Sequence, residues 1–184
     1  DCLNRKILSL QTLAVAAMAA ACGGSDNDRP VPGSAESCIA LIANFKRANA
    51  TITSAEVREA TPASGNTPAL PAHCDLTGAI DQRTGSDGQP YAIKFHVRVP
   101  IGNVWNGRLV FSGGGGSNGE IGNAMSVNGT VVTPLSKGWA ILSQDAGHDN
   151  EINNIPEKGG ERSYGFDFRA RQDNFYRSHE LAET

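Results

Sequence analysis

Apolar residues recur along the chain with two periods, and these patterns predict helices and several strands. Residues 37–48 place their apolar side chains on one face of a predicted helix. Residues 51–60 alternate weakly and predict a first strand. Residues 74–80 and 91–99 are strand-like, and the turn-forming segment 84–88 (Thr-Gly-Ser-Asp-Gly) lies between them. This arrangement predicts a β-hairpin.

Two further apolar segments each lead into a loop. Residues 105–111 predict a strand that runs into four consecutive glycines, Gly113 to Gly116. Residues 138–143 form a compact apolar run that is typical of a buried strand. That run is followed by Asp145-Ala146-Gly147-His148, and a helix is predicted from Asp173 onward. The mixture of strands and helices predicts an α/β fold.

The glycine run indicates chemistry because glycine lacks a Cβ, so its backbone N–H groups can approach a ligand closely. A strand that ends in such a loop can bind an anion, either a phosphate or the oxyanion formed during ester cleavage. A phosphate loop requires a following Lys-Ser/Thr pair or an immediate helix, and residues 117–124 favour neither. The oxyanion interpretation is therefore preferred, and a plain flexible turn is the alternative.

The composition is that of a globular domain. The chain has 184 residues, a formal charge of −3 and 39% hydrophobic residues, and its Lys and Arg residues are scattered. Without a basic face, a nucleic-acid partner is not predicted. The four histidines have no paired ligand spacing, so no metal site is predicted in this chain; they are His73, His96, His148 and His179.

The start of the chain has the pattern of an export signal. Two basic residues precede an apolar run over residues 7–21, which predicts a signal peptide over residues 1–21. Small residues before Cys22 and Gly-Gly-Ser after it resemble a bacterial lipoprotein signal, which predicts a lipid anchor on Cys22 that attaches the protein to a membrane. Residues 22–36 then form a flexible tether. We expect a periplasmic or outer-membrane lipoprotein, and ordinary secretion is the alternative.

Export also determines how the cysteines are interpreted. Cys2 leaves with the signal peptide and Cys22 carries lipid, so two cysteines remain in an oxidising compartment. The simplest interpretation is one disulfide between Cys38 and Cys74.

Several motifs, in order along the chain, resemble the tannase and feruloyl esterase family. They are Pro71-Ala72-His73-Cys74, Trp105-Asn106-Gly107-Arg108, the glycine segment 113–119 and Asp145-Ala146-Gly147-His148. The segment 84–95 is similar to the mono(2-hydroxyethyl) terephthalate hydrolase branch of that family, and the likeness spans about residues 37–184. The resemblance implies an α/β-hydrolase fold, a Ser-His-Asp triad and small aromatic esters as substrates. The order of the predicted strands agrees with the opening of such a sheet.

The resemblance also implies that catalytic parts are missing from this chain. The family places its nucleophile in a Gly-Cys-Ser-x-Gly-Gly elbow, which the sequence does not contain. We expect the triad and the lid domain to lie beyond Thr184, so residues 37–184 would form the N-terminal part of the hydrolase domain. The chain alone would then be inactive. No cofactor is expected in it, and a structural calcium ion, where one is present, would by resemblance belong to the lid.

By the same resemblance, the glycine loop becomes half of an oxyanion hole, with the backbone N–H groups of Gly113 and Gly114 as candidate donors. A literal G-x-S-x-G match over residues 115–119 would instead make Ser117 the nucleophile. A nucleophile elbow needs a helix directly after the serine, and the residues after Ser117 are poor helix formers. We expect Asp145 to cap the loop after its strand. A non-catalytic surface lipoprotein that binds ligands with this sheet is the alternative function.

Overall fold

The computed structural model describes residues 33–125 and 132–183, with side chains described up to residue 176. The predicted signal peptide, Cys22 and most of the predicted tether lie outside these residues. Within the described ranges, no helix combines the length and the apolar character needed to cross a membrane.

Five strands form one mixed sheet in the order β1-β2-β3-β5-β4. The strands are β1 (Ala50–Arg58), β2 (His73–Thr84), β3 (Pro90–Pro100), β4 (Leu109–Ser112) and β5 (Ala140–Gln144). The pairs β1–β2, β2–β3 and β3–β5 are antiparallel, whereas β4 pairs parallel with β5. A parallel pair requires a crossover connection rather than a tight turn, so the chain after β4 crosses over before it returns as β5.

The predicted first strand, hairpin and buried strand are confirmed. All five residues of β5 are buried, and the strand lies inside the sheet between β3 and β4. The predicted strand over residues 105–111 is shorter than expected, and β4 begins only at Leu109. The side chain of Asn106 accepts a hydrogen bond from the Arg108 N–H, and Gly107 adopts a positive φ of 78°. This local turn prevents the strand from starting earlier.

Helix α1 (Ala35–Asn44) packs on β1 and carries the disulfide. Ser34 caps the helix, since its hydroxyl accepts a hydrogen bond from the Ser37 N–H at 3.1 Å. The helix therefore starts inside the segment predicted as a tether. Cys38 is bonded to Cys74 of β2, which confirms the predicted disulfide. A buried apolar cluster surrounds the bridge; its members are Cys38, Ile52, Ala55, Cys74, Leu76, Ile80, Ile93, Phe95 and Leu142.

Helix α2 (Phe168–Glu183) begins before the predicted start at Asp173. Asp167 sets the earlier start, because its carboxylate accepts a hydrogen bond from the Ala170 N–H at 2.7 Å. The Arg83 guanidinium of β2 lies 3.0 Å from Asp167 and 3.3 Å from Asp173. These ion pairs hold the start of α2 against the β2–β3 hairpin.

Candidate active site

The glycine loop and the segment after β5 lie together, because β4 and β5 run parallel and end at the same side of the sheet. The two segments are in direct contact. The Gly119 N–H donates to the Asp145 carbonyl at 2.9 Å, and the Asn118 amide donates to the Gln144 carbonyl at 2.5 Å. Open α/β sheets bind their ligands outside the carboxyl ends of the strands, so this is the candidate site.

The glycine loop exposes its backbone. Residues 113–116 are exposed, and a Cβ built on Gly113 would have no other atom within 4 Å. At Gly114 a Cβ would collide with the side chain of Asn118. Both glycines line a polar cavity of about 200 Å³ together with Ser143 and Gln144 at the end of β5. The backbones of Gly113 and Gly114, the two predicted oxyanion donors, thus form part of the cavity wall.

A larger open cleft of about 550 Å³ borders the other residues of the loop. Gly115 and Ser117 line it on the loop, and Asn150, Glu161 and Arg162 line it from the segment after β5. The loop is therefore accessible from two adjoining spaces, both with polar walls.

Ser117 does not lie on a nucleophile elbow. The Asn118 N–H donates to the Gly115 carbonyl at 3.0 Å, so Ser117 belongs to a tight turn. Among the described residues from Ser117 to Met125 none is helical. Since an elbow is a sharp turn from a strand into a helix, this geometry favours a backbone cradle over a nucleophile.

Asp145 is a buried capping residue, as the sequence predicted. One carboxylate oxygen accepts hydrogen bonds from the Lys94 N–H at 3.0 Å and from the Gly147 N–H at 2.9 Å. Burial nevertheless raises the pKa of Asp145 to about 7, although these hydrogen bonds favour the charged form. Only 1% of the residue is exposed.

His148 is also buried, and its ring stacks on Tyr164 with 3.7 Å between the ring centroids. Lys94 and Asp149, which line the same pocket as His148, form an ion pair at 2.6 Å. The packing of His148 against an aromatic ring agrees with a structural role for this residue.

Three asparagine side chains for which the sequence predicted no role hold the loop. Asn118 donates to Gln144, Asn150 donates to the Asn118 carbonyl at 2.8 Å, and Asn174 of α2 donates to the Ser117 carbonyl at 3.1 Å. Asn118 had a local signal, since it lies in a glycine-rich turn. Asn150 and Asn174 had none, because they are 32 and 57 residues away from the groups they contact.

Comparisons with known proteins identify the family. The model of the "Tannase and feruloyl esterase" family matches residues 74–183. The mono(2-hydroxyethyl) terephthalate hydrolase of Piscinibacter sakaiensis is 42% identical over 125 residues, which cover 67% of this chain and 20% of that protein. An uncharacterized esterase of Agrobacterium fabrum is 31% identical over 120 residues, 60% of this chain and 21% of that protein.

The chain thus spans about a fifth of the length of these curated relatives. The family match covers β2 to α2 and includes both the glycine loop and the segment that holds it. This chain belongs to the tannase and feruloyl esterase family.

Proposed function

We propose that the protein carrying this chain is a carboxylic-ester hydrolase with an α/β-hydrolase fold and a serine nucleophile. Family membership supports ester hydrolysis, and the two relatives are named as a hydrolase and an esterase. The observation that carries the proposal is the glycine loop, which leaves a parallel strand at its carboxyl end with the Gly113 backbone open to a cavity.

In the proposed mechanism a serine hydroxyl attacks the ester carbonyl while a histidine accepts the hydroxyl proton. The carbonyl oxygen becomes an oxyanion, and the N–H groups of Gly113 and Gly114 are the donors proposed to stabilise it. One such donor contributes about 3–4 kcal/mol to the transition state. A further donor would be the N–H group of the residue after the nucleophile. We propose that the nucleophile, the histidine and the aspartate come from the rest of the full-length protein.

Esters of aromatic acids are the proposed substrates. The support is the 42% identity to a protein named for a terephthalate monoester. The two polar spaces beside the loop, of about 200 and 550 Å³, leave room for the acyl and alcohol parts of such an ester.

We further propose that the protein is exported and anchored by lipid at Cys22. The Cys38–Cys74 disulfide supports export, because disulfides persist in oxidising compartments and are rare in the cytosol. The anchor itself is inferred from the sequence around Cys22.

The test is turnover by the full-length gene product of p-nitrophenyl, gallate, ferulate and terephthalate monoesters. Absence of turnover with all four would refute the proposal and favour a binding protein.

A pair of variants tests the Gly113 N–H as an oxyanion donor. Gly113→Pro removes the N–H and should lower kcat by about 10²- to 10³-fold. Gly113→Ala keeps the N–H and has room for the methyl group, so its kcat should fall far less than that of Gly113→Pro.

A further inference from the structure

We propose that Asn118 is the positioning residue of the glycine loop, and that its side-chain amide fixes the backbone that presents Gly113 and Gly114. The catalytic consequence rests on the proposed function. The structural part rests on the contacts of the amide.

The amide of Asn118 lies between the loop and the sheet. On one side it occupies the space that a Cβ on Gly114 would need. On the other side its Nδ2 donates to the carbonyl of Gln144, the last residue of β5, at 2.5 Å. A carbonyl can only accept, so this contact also determines which end of the amide faces the strand. The loop is thereby wrapped around a group anchored to the sheet.

The backbone of Asn118 adds a second requirement at the same position. Its φ is 65°, in the left-handed region, where asparagine is tolerated better than most residues. Asparagine therefore meets two demands at once, the conformation and the short amide. Glycine would meet only the first demand, and alanine would meet neither.

Asn150 holds the loop from the segment after β5. Its Nδ2 donates to the Asn118 carbonyl at 2.8 Å, and its backbone N–H donates to the Gly119 carbonyl at 3.0 Å. Gly119 has a φ of 98°, and a Cβ there would collide with the Asn150 side chain. Together with the Gly119–Asp145 hydrogen bond, these contacts immobilise the end of the loop that follows the amide.

These contacts of Asn118 and Asn150 matter because an oxyanion donor acts only when it is held in place before the reaction. Functional groups must be held to within about 0.5 Å of the productive geometry. A displacement of about 1 Å can reduce the rate by about 10²-fold. Releasing Asn118 frees the backbone next to the proposed donors without removing any donor.

The experiment compares Asn118→Gly with Asn49→Gly in the full-length protein. Asn49 is a matched control, since it is an exposed asparagine with a φ of 61° beside β1, at the other edge of the sheet. Asn118→Gly should lower kcat for p-nitrophenyl esters by about 10- to 100-fold, with KM changed by less than about threefold. Asn49→Gly should leave both constants unchanged.

Amide hydrogen exchange gives a readout that does not depend on turnover. In Asn118→Gly, exchange of the N–H groups of residues 118 and 119, which donate to the carbonyls of Gly115 and Asp145, should rise by about tenfold or more, while exchange in β2 and β3 stays constant. Asn150→Ala removes the hydrogen bond from the Asn150 amide to the Asn118 carbonyl, at a position whose backbone is not left-handed. It should raise exchange and lower kcat, as Asn118→Gly does. If Asn118→Gly does not fold, the Asn150→Ala variant still tests whether these side-chain contacts position the loop.

Unchanged exchange of the N–H groups of residues 118 and 119 in the folded variants would overturn the positioning role. Faster exchange with unchanged kcat in an active enzyme would also overturn it. A wild-type protein that cleaves no ester would refute the proposed function instead, and the exchange data would still decide whether Asn118 holds the loop.

Discussion

The buried carboxyl of Asp145 predicts a specific dependence of stability on pH. The perturbation is Asp145→Asn, which keeps an oxygen that can accept the hydrogen bonds from Lys94 and Gly147 but removes the ionisation. The second carboxylate oxygen of Asp145 is buried and has no hydrogen-bond partner among the described residues. The charged form is therefore the one that burial disfavours.

The magnitude follows from the two pKa values. Burial raises the pKa of Asp145 from 3.8 to about 7. Between these values the folded state retains a proton that the unfolded state has released, so stability falls as the pH rises through this window. A difference of about three pKa units corresponds to about 4 kcal/mol, which is present below pH 3.8 and lost above about pH 7.

The assay is urea unfolding of the full-length wild type and of Asp145→Asn at several values between pH 4 and pH 8. The other ionisable groups are common to both proteins, so they cancel in the difference of the free energies of unfolding. We expect the free energy of unfolding of the wild type to fall by about 4 kcal/mol relative to that of the variant between pH 4 and pH 7, and to stay level relative to the variant above pH 7. A difference that stays within about 1 kcal/mol over the whole range would refute the reasoning.

Three further predictions concern the sheet and the loop. Gly78→Ala should destabilise the protein by about 1–3 kcal/mol in thermal unfolding, because the new methyl group collides with the buried ring opposite it on β3; Gly165→Ala, with open space around it, is the control. Replacing Cys38 and Cys74 by serine should cost about 4 kcal/mol, and a thiol titration of the unreduced wild type that finds both cysteines free would contradict the bridge. Ser117→Ala should leave kcat of the full-length protein within about twofold, and a complete loss of turnover would make Ser117 the nucleophile.

Much of the secondary structure was predictable because its signals are local. The hairpin follows from alternating residues around a turn segment, and β5 follows from a short apolar run. The start of α2 was predicted too late. Its first turn has exposed Phe168 and Arg169 in place of an apolar stripe, and the capping hydrogen bond of Asp167 sets the start.

The candidate site was predictable only in part. Glycine-rich composition after a strand pointed to an anion-binding backbone, because glycines have no side chains that would keep a ligand away from their N–H groups. The family resemblance, not the composition, implied Gly113 and Gly114 as the donors. The side chains that hold this backbone were not predicted. An asparagine is common in turns for many reasons, and nothing local tells which carbonyl its amide will reach.

The sequence by itself determined the presence of the strands, though not the start of β4, together with the family and the glycine loop, because these depend on residue types at short spacing. It also determined the disulfide partners, because Cys38 and Cys74 are the two cysteines that remain after the predicted signal peptide and lipid anchor take Cys2 and Cys22. The tertiary structure decided that β5 lies between β3 and β4, which brings the glycine loop against the end of β5. It also decided that Asn150 and Asn174 contact the loop from 32 and 57 residues away. The physical reason is that hydrogen-bond partners are chosen by distance in space, which sequence spacing does not encode across a crossover connection.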